Sequence, residues 1–241
     1  MELKKYCTIA AIFIFSGTAL NAQPKKAEKT FTSGFEKYED QNYHGAITEF
    51  EKALAIFPEY PDVYYYRGMA HYALDKFDKA LKDFQRAVEL EPSMDEAWYQ
   101  MAKIKVKQEN HKVALPLYDK ALENNSYNQH YLYDRGRCRY ILENYIGAEE
   151  DFTGAIAIDG STYDYYYFSR GEARIKLAKF SLAIEDFTKC LEFDDYNQDY
   201  YFMRAEAQMK AGQKTGACLD YKRALENGHD EADARIEQYC K

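Results

Sequence analysis

Apolar residues recur along the chain in two interleaved rhythms: steps of three and four residues nested inside a step of about 34. Aligned on Ala46, an alanine returns at Ala80, Ala114, Ala148, Ala183 and Ala217, at steps of 34, 34, 34, 35 and 34 residues. Four residues after each stands an aromatic: Phe50, Phe84, Tyr118, Phe152, Phe187 and Tyr221. Three further on comes a small residue (Ala53, Ala87, Ala121, Ala155, Cys190, Ala224), followed by an aliphatic one (Leu54, Val88, Leu122, Ile156, Leu191, Leu225). Spacings of four and three put these side chains on one face of a helix. Twelve residues before each alanine lies a second small position: Gly34, Gly68, Ala102, Gly136, Gly171 and Ala205. A glycine inside a helix costs about 1 kcal/mol relative to alanine, a cost that the close approach of another helix would justify.

Between these units lie "FPEYPD", "EPSMDE", "NNSYNQ", "DGSTYD" and "DDYNQD", clusters of Asx, Ser, Gly and Pro that end one helix and cap the next. Each unit is therefore expected to be two helices joined by a short turn. The pattern resembles the tetratricopeptide repeat, with its alanine, aromatic, alanine and proline marks at a 34-residue period. Residues 65–92, "YYRGMAHYALDKFDKALKDFQRAVELEP", are the best copy, and Pro58 and Pro92 hold the terminal proline position. Ser126, Gly160, Asp195 and His229 replace that proline elsewhere, and Pro116 falls inside a second helix, where it is expected to bend it.

The resemblance implies an all-α fold, a right-handed α-solenoid of six helix hairpins with a C-terminal capping helix. A single hairpin cannot bury its apolar face alone, so neighbours stack and a terminal element closes the end. The expected organisation is a signal peptide over residues 1–22, six repeats over 23–229 and a capping helix over 230–241. Ile236 and Tyr239 would be the cap's apolar contacts. The ending "GACLDYKRALENGHDEADARIEQYCK" also resembles exported bacterial proteins of this repeat class, which implies a Cys218–Cys240 disulfide joining cap to array. The alternative is two small buried thiols, the expectation for Cys138 and Cys190.

With the first small residue of each unit numbered eighth, the fourth positions are Thr30, Tyr64, Trp98, Leu132, Tyr167 and Tyr201, and are expected in the core. The fifth positions are all aromatic: Phe31, Tyr65, Tyr99, Tyr133, Phe168 and Phe202. In the tetratricopeptide family, first-helix positions two, five, nine, twelve and thirteen line a concave groove. Carried onto this chain, the fifth positions would form an aromatic ladder, joined by Tyr140 and by Lys103, Lys107 and Arg137 as a basic spot. Tyr offers area and a hydroxyl at low entropic cost, so a protein or peptide segment is the expected ligand, and an acidic one suits the basic spot. Glycan stacking uses the same chemistry, and a ladder that only packs against adjacent first helices is the plainer reading. The ninth positions contain no Asn, against the family's carboxylate-clamp chaperone modules. In the tyrosine run, Tyr165 and Phe168 are expected on the groove, Tyr167 in the core, and Tyr166 toward a neighbouring helix or the outer rim.

Composition narrows the function classes. The 241 residues carry a net charge of −8, with 24 Tyr against one Trp, and lack the basic footprint of non-specific nucleic-acid binding. Lys4 and Lys5 precede fifteen residues, "YCTIAAIFIFSGTAL", that are short for a membrane span and interrupted by Ser16, Gly17 and Thr18. Cleavage after Ala22 would leave no integral membrane segment and an exported protein, periplasmic or secreted. No nucleotide-loop, zinc-protease or nucleophile-elbow motif occurs, the five histidines lie in different units, and no Cys pair has metal spacing. Asp195, Asn197, Asp199 and Glu206 match a calcium loop only until Tyr200 takes the place of its glycine. No enzyme activity, metal or cofactor is expected. The reading is an exported, non-enzymatic scaffold that binds a protein or peptide. The alternative is a structural subunit of an envelope or secretion assembly.

Overall fold

The computed structural model describes residues 22–241, whose regular structure is entirely helical. Apart from Ala22, the expected signal peptide lies outside the described residues. The helices are α1 (Ala22–Glu39), α2 (Tyr43–Ile56), α3 (Pro61–Ala73), α4 (Phe77–Leu90), α5 (Asp95–Lys107), α6 (His111–Asn124), α7 (Gln129–Ile141), α8 (Tyr145–Asp159), α9 (Asp164–Lys176), α10 (Phe180–Phe193), α11 (Gln198–Lys210), α12 (Lys214–Glu226) and α13 (Ala232–Tyr239). One compact unit ends at Glu91, and a second runs from Pro92 to Lys241. Within each, consecutive helices pack as hairpins, and each hairpin packs on the next, as in a tetratricopeptide solenoid.

Each hairpin turns at its fifteenth residue. Gln41, Asp75, Glu109, Glu143, Ala178 and Gly212 all have positive φ, between 55° and 78°. In the α3–α4 turn, Asp75 N–H donates to Tyr72 O (2.9 Å) and Lys76 N–H to His71 O (2.9 Å). These bonds satisfy carbonyls that the end of α3 would otherwise leave unpaired. Asn side chains start several helices: Asn42 Oδ1 accepts from Gly45 N, Asn144 from Gly147 N, and Asn128 from both His130 N and Tyr131 N. The α6 helix runs unbroken through Pro116.

The second helices supply the spine of the core. The alanine of every unit is fully buried, and so, to within 1%, is the aromatic four residues later. The aliphatic position drifts outward: Leu54, Val88 and Leu122 are buried, Ile156 and Leu191 half-buried, and Leu225 is 40% exposed. From α3 onward the first helices bury a stripe that the sequence marks did not show, positions three and ten; in α1 these are the exposed Lys29 and Glu36. Tyr131 packs on Ala121 and Leu122 of the preceding hairpin, Cys138 on Ala114 and Tyr118, Ala173 on Ala148 and Phe152, and Ala207 on Ala183 and Phe187.

The fourth positions, expected in the core, are instead half-buried. Tyr64, Tyr167 and Tyr201 each lie beneath the guanidinium three residues on, with Arg67, Arg170 and Arg204 at 5.4, 5.6 and 5.6 Å from the ring centroids. Those arginines are held by buried carboxylates sixteen residues later, Asp83, Asp186 and Asp220. The tyrosines therefore cover an ion pair at the edge of the core rather than fill its centre. Tyr166, not Tyr167, is the fully buried member of the tyrosine run.

At the C-terminus, α13 packs Ile236 and Tyr239 over Phe202 and Tyr221. Cys218 and Cys240 are joined, with Cα atoms 5.6 Å apart. Arg235 reaches Glu206 at 2.8 Å, and Glu206 accepts from the Tyr221 hydroxyl at 2.8 Å. Cys138 and Cys190 are free and buried, and burial pushes the Cys138 thiol up to about 11.

Candidate functional site

The fifth-position rings all make the same contact. Each leans on the buried aromatic nineteen residues later in its own hairpin: Phe31 on Phe50, Tyr65 on Phe84, Tyr99 on Tyr118, Tyr133 on Phe152, Phe168 on Phe187 and Phe202 on Tyr221, with centroids 5.6–5.9 Å apart. One ring face is thus committed to the core, and the first five rings stay half-buried. Phe202 is 8% exposed because the His229 ring stacks on it at 3.9 Å, so the last rung is closed off.

In the second unit, Tyr99, Tyr133 and Phe168 sit on α5, α7 and α9, the first helices of successive hairpins. Tyr99 stacks on Tyr131 at 4.3 Å and donates its hydroxyl to Asp134 Oδ2 at 2.6 Å. Burial raises the Tyr99 pKa, with Asp134 adding to the shift, and burial also raises that of Asp134. The short hydroxyl-to-carboxyl bond sits in a half-buried setting, which strengthens it relative to one in water. Lys103 Nζ lies 5.3 Å from the Tyr99 centroid. Tyr133 contacts Tyr165 (4.7 Å) and Tyr166 (5.3 Å). Arg137 pairs with Glu172 at 3.2 Å and lies 5.8 Å from the Tyr140 centroid. Burial raises the Glu172 pKa, and Arg137 opposes the shift. Lys107 is exposed at the end of α5.

These contacts change the expected charge of the face. Arg137 is neutralised by Glu172, and Lys103 lies within electrostatic reach of Asp134, so the basic spot is a charge-paired surface. The Tyr99 hydroxyl is spent on Asp134 rather than offered to a ligand. Asp134 and Tyr131 escaped the sequence reading. The signal for Asp134 was a lone carboxylate at the sixth position, where the other units carry Thr32, Tyr66, Gln100, Ser169 and Met203. In the first unit, Phe31 and Tyr65 belong to a separate cluster around Tyr66, which lies 5.7 Å from Phe31, 5.1 Å from Tyr65 and 4.9 Å from Phe35.

Repeat-family models match most of the described chain: tetratricopeptide repeat models at residues 61–94, 99–161 and 165–197, and a TPR repeat model at 34–75. The chain belongs to the tetratricopeptide repeat family. No curated protein sequence matches it. Among solved structures, this tetratricopeptide chain is similar to YrrB, described as a TPR protein with an unusual peptide-binding site (TM-score 0.74, 19% identity, 78% of this chain and 97% of that one). It is also similar to the C-terminal part of a TPR repeat-containing protein from Cytophaga hutchinsonii (TM-score 0.73, 22% identity, 87% of each chain). A third similar structure is MamA (TM-score 0.66, 18% identity, 72% of this chain and 94% of that one). At these identities the likeness is one of tetratricopeptide fold.

Proposed function

We propose that the protein is an exported, non-catalytic scaffold that holds a protein or peptide segment against the first-helix face of α5, α7 and α9. The observation that carries this reading is the row of half-buried rings, Tyr99, Tyr133 and Phe168, flanked by the half-buried apolar side chains Val106, Tyr140 and Ile175. The rings are fixed from behind by buried aromatics, and the charges beside them are fixed by Asp134 and Glu172. Such a face loses little freedom on binding, which favours affinity. The description of YrrB as peptide-binding supports the same use of the fold. Export is supported by the character of residues 1–22 and by the Cys218–Cys240 bridge, since disulfides persist in oxidising compartments.

Selection of displayed peptides on the purified protein tests the binding face. Enriched peptides are expected to lose roughly tenfold or more in affinity for Tyr140→Ala and Arg137→Gln, changes at an interface anchor and a charge clamp. Tyr140 also packs on the core and Arg137 holds Glu172, so thermal unfolding is measured alongside and affinities are compared at a temperature where each variant is fully folded. A selection that enriches nothing, or peptides indifferent to both changes, removes the proposed face.

A further inference from the structure

The second unit is electrically lopsided along its helix axes. Its hairpin turns, residues 107–113, 141–147, 176–182 and 210–216, carry Lys107, Lys112, Lys176, Lys179, Lys210 and Lys214 against only Glu109 and Glu143. The turns between hairpins, residues 123–130, 159–164, 192–199 and 226–231, all carry carboxylates and contain no lysine or arginine. Antiparallel hairpins put these two sets of turns at opposite ends of the helices. Bonds from one between-hairpin turn to the next hold their edge together: Asn124 Nδ2 to Pro92 O (3.0 Å), Tyr200 hydroxyl to Asp164 (2.5 Å) and Asn227 Nδ2 to Tyr196 O (3.0 Å).

Helix stabilisation accounts for only part of this segregation, the lysines Lys107, Lys176 and Lys210 in the last turns of first helices. Carboxylates belong at helix N-termini and cations at C-termini, by the helix dipole. The first helices α5, α9 and α11 obey that rule at both ends and α7 at its C-terminal end, but the second helices break it. No acidic residue lies in the first turn of α6, α8, α10 or α12, and no basic residue lies in the last turn of α6, α8 or α10. Lys112, Lys179 and Lys214 stand instead at the starts of α6, α10 and α12. The lysine edge also carries exposed aliphatic side chains: Val113 (43%), Ile141 (49%), Ile146 (62%) and Leu182 (39%).

We propose that this edge rests on an anionic lipid surface, with Lys112, Lys176, Lys210 and Lys214 at the headgroups and Val113, Ile141, Ile146 and Leu182 reaching below them, while Lys179 is held by Glu149. Lysine with interspersed aliphatics is the chemistry of such contacts. A nucleic-acid backbone would leave the aliphatics without a partner. The carboxylate edge faces away from the lipid, which orients the unit and leaves the first-helix face beside the membrane rather than against it.

Sedimentation of the full chain with phosphatidylcholine vesicles, with and without phosphatidylserine, tests this. Binding is expected only with phosphatidylserine, and Lys112→Ala/Lys176→Ala/Lys214→Ala is expected to weaken it roughly 100-fold. Ile141→Ser/Ile146→Ser, which leaves the charge unchanged, should weaken it ~10-fold. All five side chains are exposed, and circular dichroism of each variant checks that it folds. Equal sedimentation of parent and lysine variant overturns the proposal, as does equal binding to both vesicle types, which would report the apolar residues 6–20 instead. Lysine-dependent binding to polyglutamate or duplex DNA without binding to vesicles also overturns it.

Discussion

At the eighth and twenty-fourth positions of each repeat, the two residue types vary together. Gly34, Gly68, Gly136 and Gly171 face Phe50, Phe84, Phe152 and Phe187, whereas Ala102 and Ala205 are paired with Tyr118 and Tyr221. A Cβ on Gly68 would come within 2.7 Å of the Phe84 ring. Gly68→Ala is therefore expected to destabilise by about 1–3 kcal/mol through overpacking, although the same change in an open helix stabilises by about 1 kcal/mol. Urea denaturation gives the sign directly. The opposite outcome is expected at Ala178, held at φ 56°. A left-handed conformation costs a residue with a Cβ about 1–2 kcal/mol, so Ala178→Gly should raise stability by about 1 kcal/mol in the same assay. The glycine–aromatic pairing was legible because both partners recur in phase. The turn at Ala178 was not, because only Gly212 among the six fifteenth positions carries the residue that announces such a turn.

At the scale of the hairpin, an ion pair sixteen residues apart joins first helix to second in four repeats: Arg67–Asp83, Arg135–Asp151, Arg170–Asp186 and Arg204–Asp220. In the third repeat the same two positions are Met101 and Leu117. Removing one partner of such a buried pair strands a charge, at a cost of about 3–5 kcal/mol, whereas an apolar pair of similar volume can replace it. Arg204→Met is accordingly expected to lower stability by about 3 kcal/mol, and Arg204→Met/Asp220→Leu to recover most of the loss. Equal losses in both variants would show that the pair is not replaceable. His71 contributes a pH dependence to its own hairpin. It is buried, its Nε2 is 3.8 Å from Asp83, and its Nδ1 has no partner. Burial holds its pKa below the ordinary histidine value, with Asp83 opposing. The folded state then binds the proton less readily than the unfolded one, so this contribution is present above about pH 6.5 and lost as the pH falls below it. Stability measured across that window should fall less steeply with acid in His71→Gln than in the parent. The spacing of sixteen was present in the sequence, but its meaning depended on the register between two helices, which only their packing fixes.

At the scale of the whole chain, the end of the array depends on a covalent link. Cys218 and Cys240 are separated by 22 residues and join α12 to the tail of α13. Closing a loop of that length is worth about 3 kcal/mol through the unfolded chain. Cys218→Ser/Cys240→Ser should lower stability by about that amount and loosen the cover over Phe202, read as increased hydrogen exchange in α11 and α12. A variant as stable as the parent would mean that Ile236, Tyr239 and the Arg235–Glu206 pair hold the cap unaided. The net charge of −8 conceals the separation of lysine and carboxylate edges in the second unit. No composition total could have shown it, because the separation appears only when turns distant in sequence are gathered at one end of the helices.

The sequence by itself determined the family, the helical hairpins and the buried face of every second helix. Those features repeat in phase, and a helix turns each repeat into a fixed direction. Tertiary structure decided which tyrosines are core, that Tyr99 and Arg137 are already partnered by Asp134 and Glu172, and that His229 closes the last rung at Phe202. Each of these is a contact between hairpins, made by residues some 25 to 36 positions apart that share no local signal. Side-chain spacing fixes the face a residue occupies. Only the neighbour packed against that face fixes whether it stays open.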